Sequence, residues 1–298
     1  MKRTKFKKTK PYLVISFSGG RTSAFMTKWV LDNWKDKYEI IVVFANTGKE
    51  REETLEFVQQ CATYFNFNCI WVEAVTNPQY RKGVSAKVVN YKTASRNGEP
   101  FIAMVAKHGM PNVNSPICTR ELKKNAINAY VRSIGWKKYY TAIGIRADEI
   151  DRISPTAKQQ RLLYPLVSHI PTAKHDINKF WNGQPFDLRL KPYEGNCDLC
   201  FKKSLRKLMT IVKQNPDLVP WWGELEKQYS WFVPISKRKN EKIKPPLYCF
   251  RSNKSIFDIV EMAKRPFVPA PDDSKYVPSL FDLELDVSNG CSESCEVF

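Results

Sequence analysis

Nothing in this 298-residue chain is apolar for long enough to act as a membrane anchor, and no apolar core follows its basic start. Neither a signal peptide nor a membrane anchor is therefore expected. Internal repeats are absent, which removes solenoids and propellers. Acidic residues are scarce: 30 Asp and Glu face 48 Lys and Arg, for a formal net charge of +18. That balance is high for a protein that acts on small molecules alone and points to a polyanionic partner, with tRNA or DNA as candidates. Lys2, Arg3, Lys5, Lys7, Lys8 and Lys10 carry part of it and read as a basic flexible tail over residues 1–11. With no secretory segment, the eight cysteines do not suggest a disulfide scaffold. A reducing cytoplasm is the expected setting, where clustered cysteines hold a metal or do redox chemistry.

The most informative feature lies at residues 12–23. An apolar, β-branched run enters Ser18-Gly19-Gly20-Arg21-Thr22-Ser23, and a helical pattern leaves it. A strand feeding a glycine-rich turn and a helix N-terminus is suited to an anion, because backbone N–H groups can approach it and the helix dipole favours negative charge. The spacing is not that of a GxxxxGK[ST] phosphate loop, and no lysine follows the second glycine.

Strand-like runs at residues 12–17, 40–44, 68–73 and 139–145 alternate with helical patterns at 22–34, 52–65 and 119–134. Such alternation predicts a parallel sheet covered by helices on both faces, with ligands at the carboxyl ends of the strands. We read residues 12–167 as a nucleotide-binding α/β domain and residues 77–114 as an insertion or lid over the site, with a short helix at 101–107. Residues 168–298 form a smaller C-terminal region carrying a CxxC pair and a cysteine-containing tail. Trp221-Trp222, or a sheet edge, is a candidate homodimer face.

Four further clusters carry chemistry. Asn46-Thr47-Gly48, followed by Glu50 and Glu53, ends a strand where a base or ribose can approach the backbone, or else is a plain loop before an acidic helix start. Gly144-Ile145-Arg146-Ala147-Asp148-Glu149 ends another strand, and its arginine suits a phosphate or sulfate or a structural ion pair. Cys118-Thr119-Arg120-Glu121-Leu122-Lys123 sets a thiol beside cations at a helix start, an environment that favours thiolate, and Arg120 can grip an anion. Cys197-Asp198-Leu199-Cys200 is a spacing used for zinc, for iron–sulfur clusters and for redox dithiols. Cys118, or the tail pair Cys291 and Cys295, can complete a metal site, while Cys61, Cys69 and Cys249 read as core.

In this order the motifs resemble the phosphoadenosine phosphosulfate (PAPS) reductase family of the PP-loop adenine nucleotide α-hydrolase fold, over about residues 12–205. The resemblance is nearest to its phage and bacterial reductase-like branch. It implies a five-stranded parallel sheet flanked by helices and an adenine nucleotide, ATP or PAPS, in the cleft, with magnesium if ATP is used. The phosphate loop carries over onto Ser16, Ser18, Gly19, Gly20, Thr22 and Ser23. The base or ribose falls near Asn46, Thr47 and Gly48, and the anionic group near Gly144 and Arg146, with Arg120 and Lys123 as catalytic cations. Cys118, Cys197 and Cys200 are similar in number to the ligands of three-cysteine [4Fe–4S] sulfur-transfer enzymes, with zinc as the alternative.

The chain departs from the family pattern in three places, one being that Cys118 stands alone where cluster-bearing adenylyl sulfate reductases have paired adjacent cysteines. Thr22 stands where ATP-cleaving members have aspartate, and the tail reads Glu293-Ser294-Cys295-Glu296 in place of Glu-Cys-Gly, leaving Cys295 as the candidate reactive thiol. The leading expectation is an enzyme of sulfur metabolism that reduces an adenylyl sulfate to sulfite. The alternatives are ATP-dependent nucleic-acid thiolation through an iron–sulfur cluster, and a catalytically inactive nucleic-acid-binding or host-interfering protein.

Overall fold

The structure, a computed structural model, describes residues 10–240 and 242–272. A six-stranded sheet forms its centre: β1 (Tyr12–Ser16), β2 (Glu39–Asn46), β3 (Cys69–Thr76), β4 (Val84–Val89), β5 (Tyr139–Ala142) and β6 (Leu162–Leu163), in the order β4-β3-β2-β1-β5-β6. β1 pairs in parallel with β2 on one side and with β5 on the other. β2 with β3 and β5 with β6 are also parallel. The chain thus moves outward in both directions from β1, and the strand order reverses there, which is where open α/β sheets bind ligands.

The sheet has six strands rather than the expected five, and it is not wholly parallel, because β4 runs antiparallel to β3. The reason is visible in β4 itself. Its first four residues alternate between partly covered and exposed positions, as suits an edge strand, and Ser85 and Lys87 interrupt the apolar run that marks a buried parallel strand. Part of the segment 77–114 is therefore built into the sheet. The same segment contains α3 (Glu99–His108).

On one face lie α1 (Arg21–Trp34) and α2 (Glu52–Tyr64). α1 buries Met26, Val30 and Trp34, four residues apart on one side, the spacing of an amphipathic helix. α2 places Glu52 and Glu53 in its first turn, where they complement the helix dipole. These helices cover Leu13, Ile15 and Phe44. On the opposite face Val14, Val43 and Val72 meet α3, a π-helical segment (Thr119–Lys124) and α4 (Asn125–Ser133). Successive residues of β1 thus serve two cores, as strand geometry requires.

After the short α5 (Ala157–Gln160) and α6 (Pro165–Ser168), the chain adds α7 (Lys174–Asn182), α8 (Leu205–Gln214), α9 (Val219–Tyr229) and α10 (Ile256–Lys264). Leu208, Ile211, Trp222, Phe250 and Ile259 of this region pack into the same core as Val14 and Val43. Trp181 of α7 packs at a tilt against Phe57 of α2, with ring centroids 4.9 Å apart, and edge-to-face against Phe186 at 5.7 Å. That aromatic cluster carries the following segment, residues 187–196, over the carboxyl end of β1. Among the described residues no helix is long and apolar enough to cross a membrane.

Candidate nucleotide and thiol site

The loop between β1 and α1 is buried throughout. Gly19 has φ +83°, and a Cβ there would lie 2.7 Å from Thr54 Cγ2, so the turn admits neither a side chain's conformation nor its volume. Ser18 Oγ donates to Ser23 Oγ at 2.8 Å, and Ser23 Oγ donates to the Gly20 carbonyl at 3.0 Å, closing the loop on the first turn of α1. Gly20 is the N-cap and brings no capping side chain, which suits the first amides of α1 to an anion. Ser16 Oγ, fully buried at the end of β1, has no hydrogen-bond partner among the described residues.

The neighbouring strand β5 delivers Gly144 and Arg146 to the same place. A Cβ on Gly144 would sit 3.0 Å from Ser23 Cα, so this glycine lets the strand exit pass close to α1. Arg146 Nη1 donates to Thr22 Oγ1 at 3.3 Å. It also contacts Asp148 Oδ1 at 2.8 Å and Glu149 Oε2 at 3.5 Å, which hold the nearly buried guanidinium at the N-terminus of α1.

The C-terminal region supplies the opposite wall. Asn196 Nδ2 donates to the Ser18 carbonyl at 2.8 Å, and its own carbonyl accepts from Arg51 N at 2.8 Å and Thr54 Oγ1 at 3.3 Å. Arg21, although inside the loop motif, turns away from it: it pairs with Asp187, donates to Asn178 Oδ1 at 3.2 Å, and its carbonyl accepts from Trp181 Nε1 at 3.1 Å. Between these walls lies a cleft of about 530 Å³, mouth included, lined among others by Gly20, Thr22, Arg146, Lys174, Lys191 and Asn196. Glycine amides and cations converge there, a surface for a phosphorylated ligand.

A second cluster adjoins the cleft through Cys197, the residue after Asn196. Cys197 bridges in antiparallel fashion to Glu50, and its Sγ donates to Glu50 Oε1 at 3.7 Å. Lys123 Nζ stands 3.7 Å from the same oxygen, with both side chains under 5 % exposed. Glu50 Oε2 accepts from both N and Oγ1 of Thr47 at 2.8 Å. Beside this group Lys49 Nζ meets Asp198 Oδ2 at 2.6 Å and lies 3.7 Å from the Trp221 ring centroid.

The residues expected at the base or ribose are occupied with the protein itself. Asn46 Nδ2 donates to Glu73 Oε1 at 2.7 Å and to the Ser95 carbonyl at 2.9 Å, and its Oδ1 accepts from Gly48 N at 3.1 Å. Gly48 packs on Gly98 and Pro100. Of the two expected catalytic cations, Lys123 reaches the site. Arg120 instead lies on the surface, 61 % exposed and paired with Glu121.

For a metal centre the cysteines do not fit as they stand. Among the described residues no three Cys, His, Asp or Glu side chains gather closely enough to hold an ion. Cys118 packs against the apolar core below α3 and α4, and the Cys197 thiol is engaged with Glu50. Cys291 and Cys295 lie outside the described residues. Cys61 and Cys249 are fully buried, and burial raises both thiols above their ordinary value. Sequence reasoning missed Asn196, Asn178, Lys174 and Lys191 as cleft residues. Only the position of Asn196 before CxxC could have suggested it, since all four reach the loop by tertiary docking.

Residues 12–150 match the family model of the phosphoadenosine phosphosulfate reductase domain. The chain is also similar to an uncharacterized nin region protein, ORF290, of Escherichia phage lambda, with 30% identity over 290 residues, covering 96% of this chain and 94% of that protein. The matched segment runs from the first residue of β1 to just beyond Arg146, and so includes the β1–α1 loop, Glu50, Lys123 and the Arg146 turn. By its sheet, its loop and these matches, the chain belongs to the phosphoadenosine phosphosulfate reductase domain family, within the PP-loop adenine nucleotide α-hydrolase superfamily.

Proposed function

We propose that this protein is an enzyme of sulfur metabolism that binds an adenylyl sulfate in the cleft over α1 and reduces its sulfate group to sulfite. The observation that carries the reading is the Arg146–Thr22 contact at the N-terminus of α1, at the edge of a cleft whose far wall leads directly into Cys197. Loop amides and the α1 dipole hold the 5′-phosphate. Lys174 and Lys191, with Arg146 beside them, balance the remaining negative charge. Thr22 matters in this scheme because its neutral hydroxyl adds no third carboxylate to Asp148 and Glu149, which already pair with Arg146, whereas an aspartate would make the loop more negative toward an anion.

A second reading, ATP-dependent thiolation of tRNA or DNA, draws support from the charge. Lys237, Arg238, Lys239, Lys242 and Lys244 lie within eight residues of one another on a surface segment. Lys237 Nζ donates to Ser115 Oγ at 3.2 Å, close to Arg120. Binding of nucleic acid through this segment would weaken steeply with salt.

Chromatographic product analysis separates the readings. Anaerobically purified protein receives PAPS or ATP with a thiol reductant, with and without bulk tRNA and DNA. Sulfite plus adenosine bisphosphate supports the reductase. AMP plus pyrophosphate from ATP, stimulated by nucleic acid, replaces it with the thiolation enzyme. Tight nucleic-acid binding with every nucleotide left intact favours a binding protein that has lost catalysis.

A further inference from the structure

Cys197 and Cys200 flank a turn at Asp198 and Leu199. Residues at the two ends of such a turn have Cα atoms within about 7 Å of each other, which is the reach of a disulfide. The pair is half-buried, neither sealed in the core nor fully exposed. It is also held in place: Asp198 N donates to the Lys49 carbonyl at 3.0 Å, Asp198 forms the buried ion pair with Lys49, and Asn196 grips the phosphate loop. One end of the turn touches a carboxylate, Glu50 Oε1, with the Lys123 ammonium on the same oxygen. A nucleophile, a proton acceptor, a cation and a second thiol therefore stand together one residue from the cleft wall.

From this geometry we infer that Cys197 and Cys200 are the chain's own dithiol, Cys197 attacking the sulfate group and Cys200 releasing sulfite, so that one molecule supplies both electrons of the reduction. The inference rests on the reductase reading above. In the first step Cys197 Sγ gives its proton to Glu50 Oε1 and bonds to the sulfur of the sulfate group. The S–O bond to the 5′-phosphate breaks, and the nucleotide leaves with that oxygen. In the second step Cys200 Sγ attacks Cys197 Sγ, the bond from Cys197 to the sulfonate breaks, and sulfite departs with the Cys200 proton. Two thiols become one disulfide, and the two electrons they lose take the sulfur from the sulfate to the sulfite oxidation state. Another turnover requires an external thiol to reopen the disulfide. Lys123 keeps positive charge beside the carboxylate where an anionic group must approach.

The test is a single turnover of the full-length protein, reduced with dithiothreitol, freed of it anaerobically and mixed with PAPS. Wild type is expected to release one sulfite and one nucleotide per chain and to end with a Cys197–Cys200 disulfide in its peptide map. Cys200→Ser should release nucleotide but retain a sulfonate on Cys197, given up as sulfite only when thiol is added. Cys197→Ser should bind PAPS, shown by titration, and release nothing. Glu50→Gln, which keeps an acceptor for Thr47, should slow adduct formation while leaving PAPS binding in place. Wild-type sulfite yield from both cysteine variants without added thiol overturns the internal dithiol and leaves the reductase reading standing, with Cys295→Ser run alongside to locate the thiol. Intact PAPS after incubation with wild type and excess dithiothreitol overturns the reductase reading, and the dithiol with it.

Discussion

Asn196 donates its side-chain amide hydrogen to the carbonyl of Ser18 at 2.8 Å, across 178 residues of sequence. The β1–α1 loop is thus shaped from the C-terminal region as well as by its own glycines. Asn196→Ala removes that donor and leaves a buried carbonyl short of a partner. Stability should fall by about 1–2 kcal/mol, and nucleotide affinity by about tenfold as the loop loosens. Urea unfolding and nucleotide titration check the two effects separately.

The same segment is anchored by Lys49 and Asp198, whose side chains are both less than 10 % exposed. Removing one partner of a buried pair strands the other charge. Asp198→Ala should therefore destabilise the fold by about 3–5 kcal/mol, whereas Lys49→Met with Asp198→Leu should cost much less. Denaturant midpoints of the two singles and the double decide this. Equal losses for single and double variants would mean that the pair itself, not the stranded charge, carries the energy.

How far the sequence led can be judged from particular residues. The strand, glycine turn and helix that hold Ser18, Gly19, Gly20 and Ser23 are legible because they are contiguous in the sequence. Arg146 was legible from a glycine two residues earlier at a strand end. Arg21 was not: it sits in the motif, yet Asp187 and Asn178 draw it away, and these lie more than 150 residues on. β4 escaped because an edge strand lacks the apolar run of a buried one. The Glu50–Cys197–Lys123 group depends on three segments meeting in space, which no local pattern encodes.

Gly19 offers a sharper probe of the loop. Its φ of +83° and the 2.7 Å approach to Thr54 Cγ2 leave no room for a methyl group. Gly19→Ala should destabilise the protein by more than about 1 kcal/mol through strain and overpacking and abolish nucleotide binding. Thermal unfolding with and without nucleotide reads both, because a ligand that binds only the folded state raises the midpoint. A variant that retains the full nucleotide-dependent rise would show that the loop does not hold the ligand.

Glu226 gives the fold a pH dependence. Its carboxyl is buried in α9 and raised from 4.5 to about 7, first by desolvation, although it accepts from Ile256 N at 2.9 Å. The folded chain keeps this proton to a higher pH than the unfolded one. The stability it contributes is therefore whole below about 4.5 and is lost as pH rises through about 7. The loss is on the order of 3 kcal/mol. His108, whose pKa burial lowers, acts in the opposite sense, so the measurement is the difference between wild type and Glu226→Gln, a variant that retains the acceptor for Ile256. That difference should grow in favour of the variant from pH 5 to pH 8. A constant difference would mean that Glu226 has no raised pKa.

The central claim is that a phosphorylated adenine nucleotide lies over the N-terminus of α1 against Arg146, and one titration tests it most directly. PAPS, ATP and adenosine are titrated into full-length wild type and Arg146→Ala. The variant is expected to lose about tenfold or more in affinity for the two phosphorylated ligands, the loss of one charge-assisted hydrogen bond, and to bind adenosine as wild type does. Equal affinity of both proteins for PAPS and ATP would contradict it, and would place the nucleotide elsewhere.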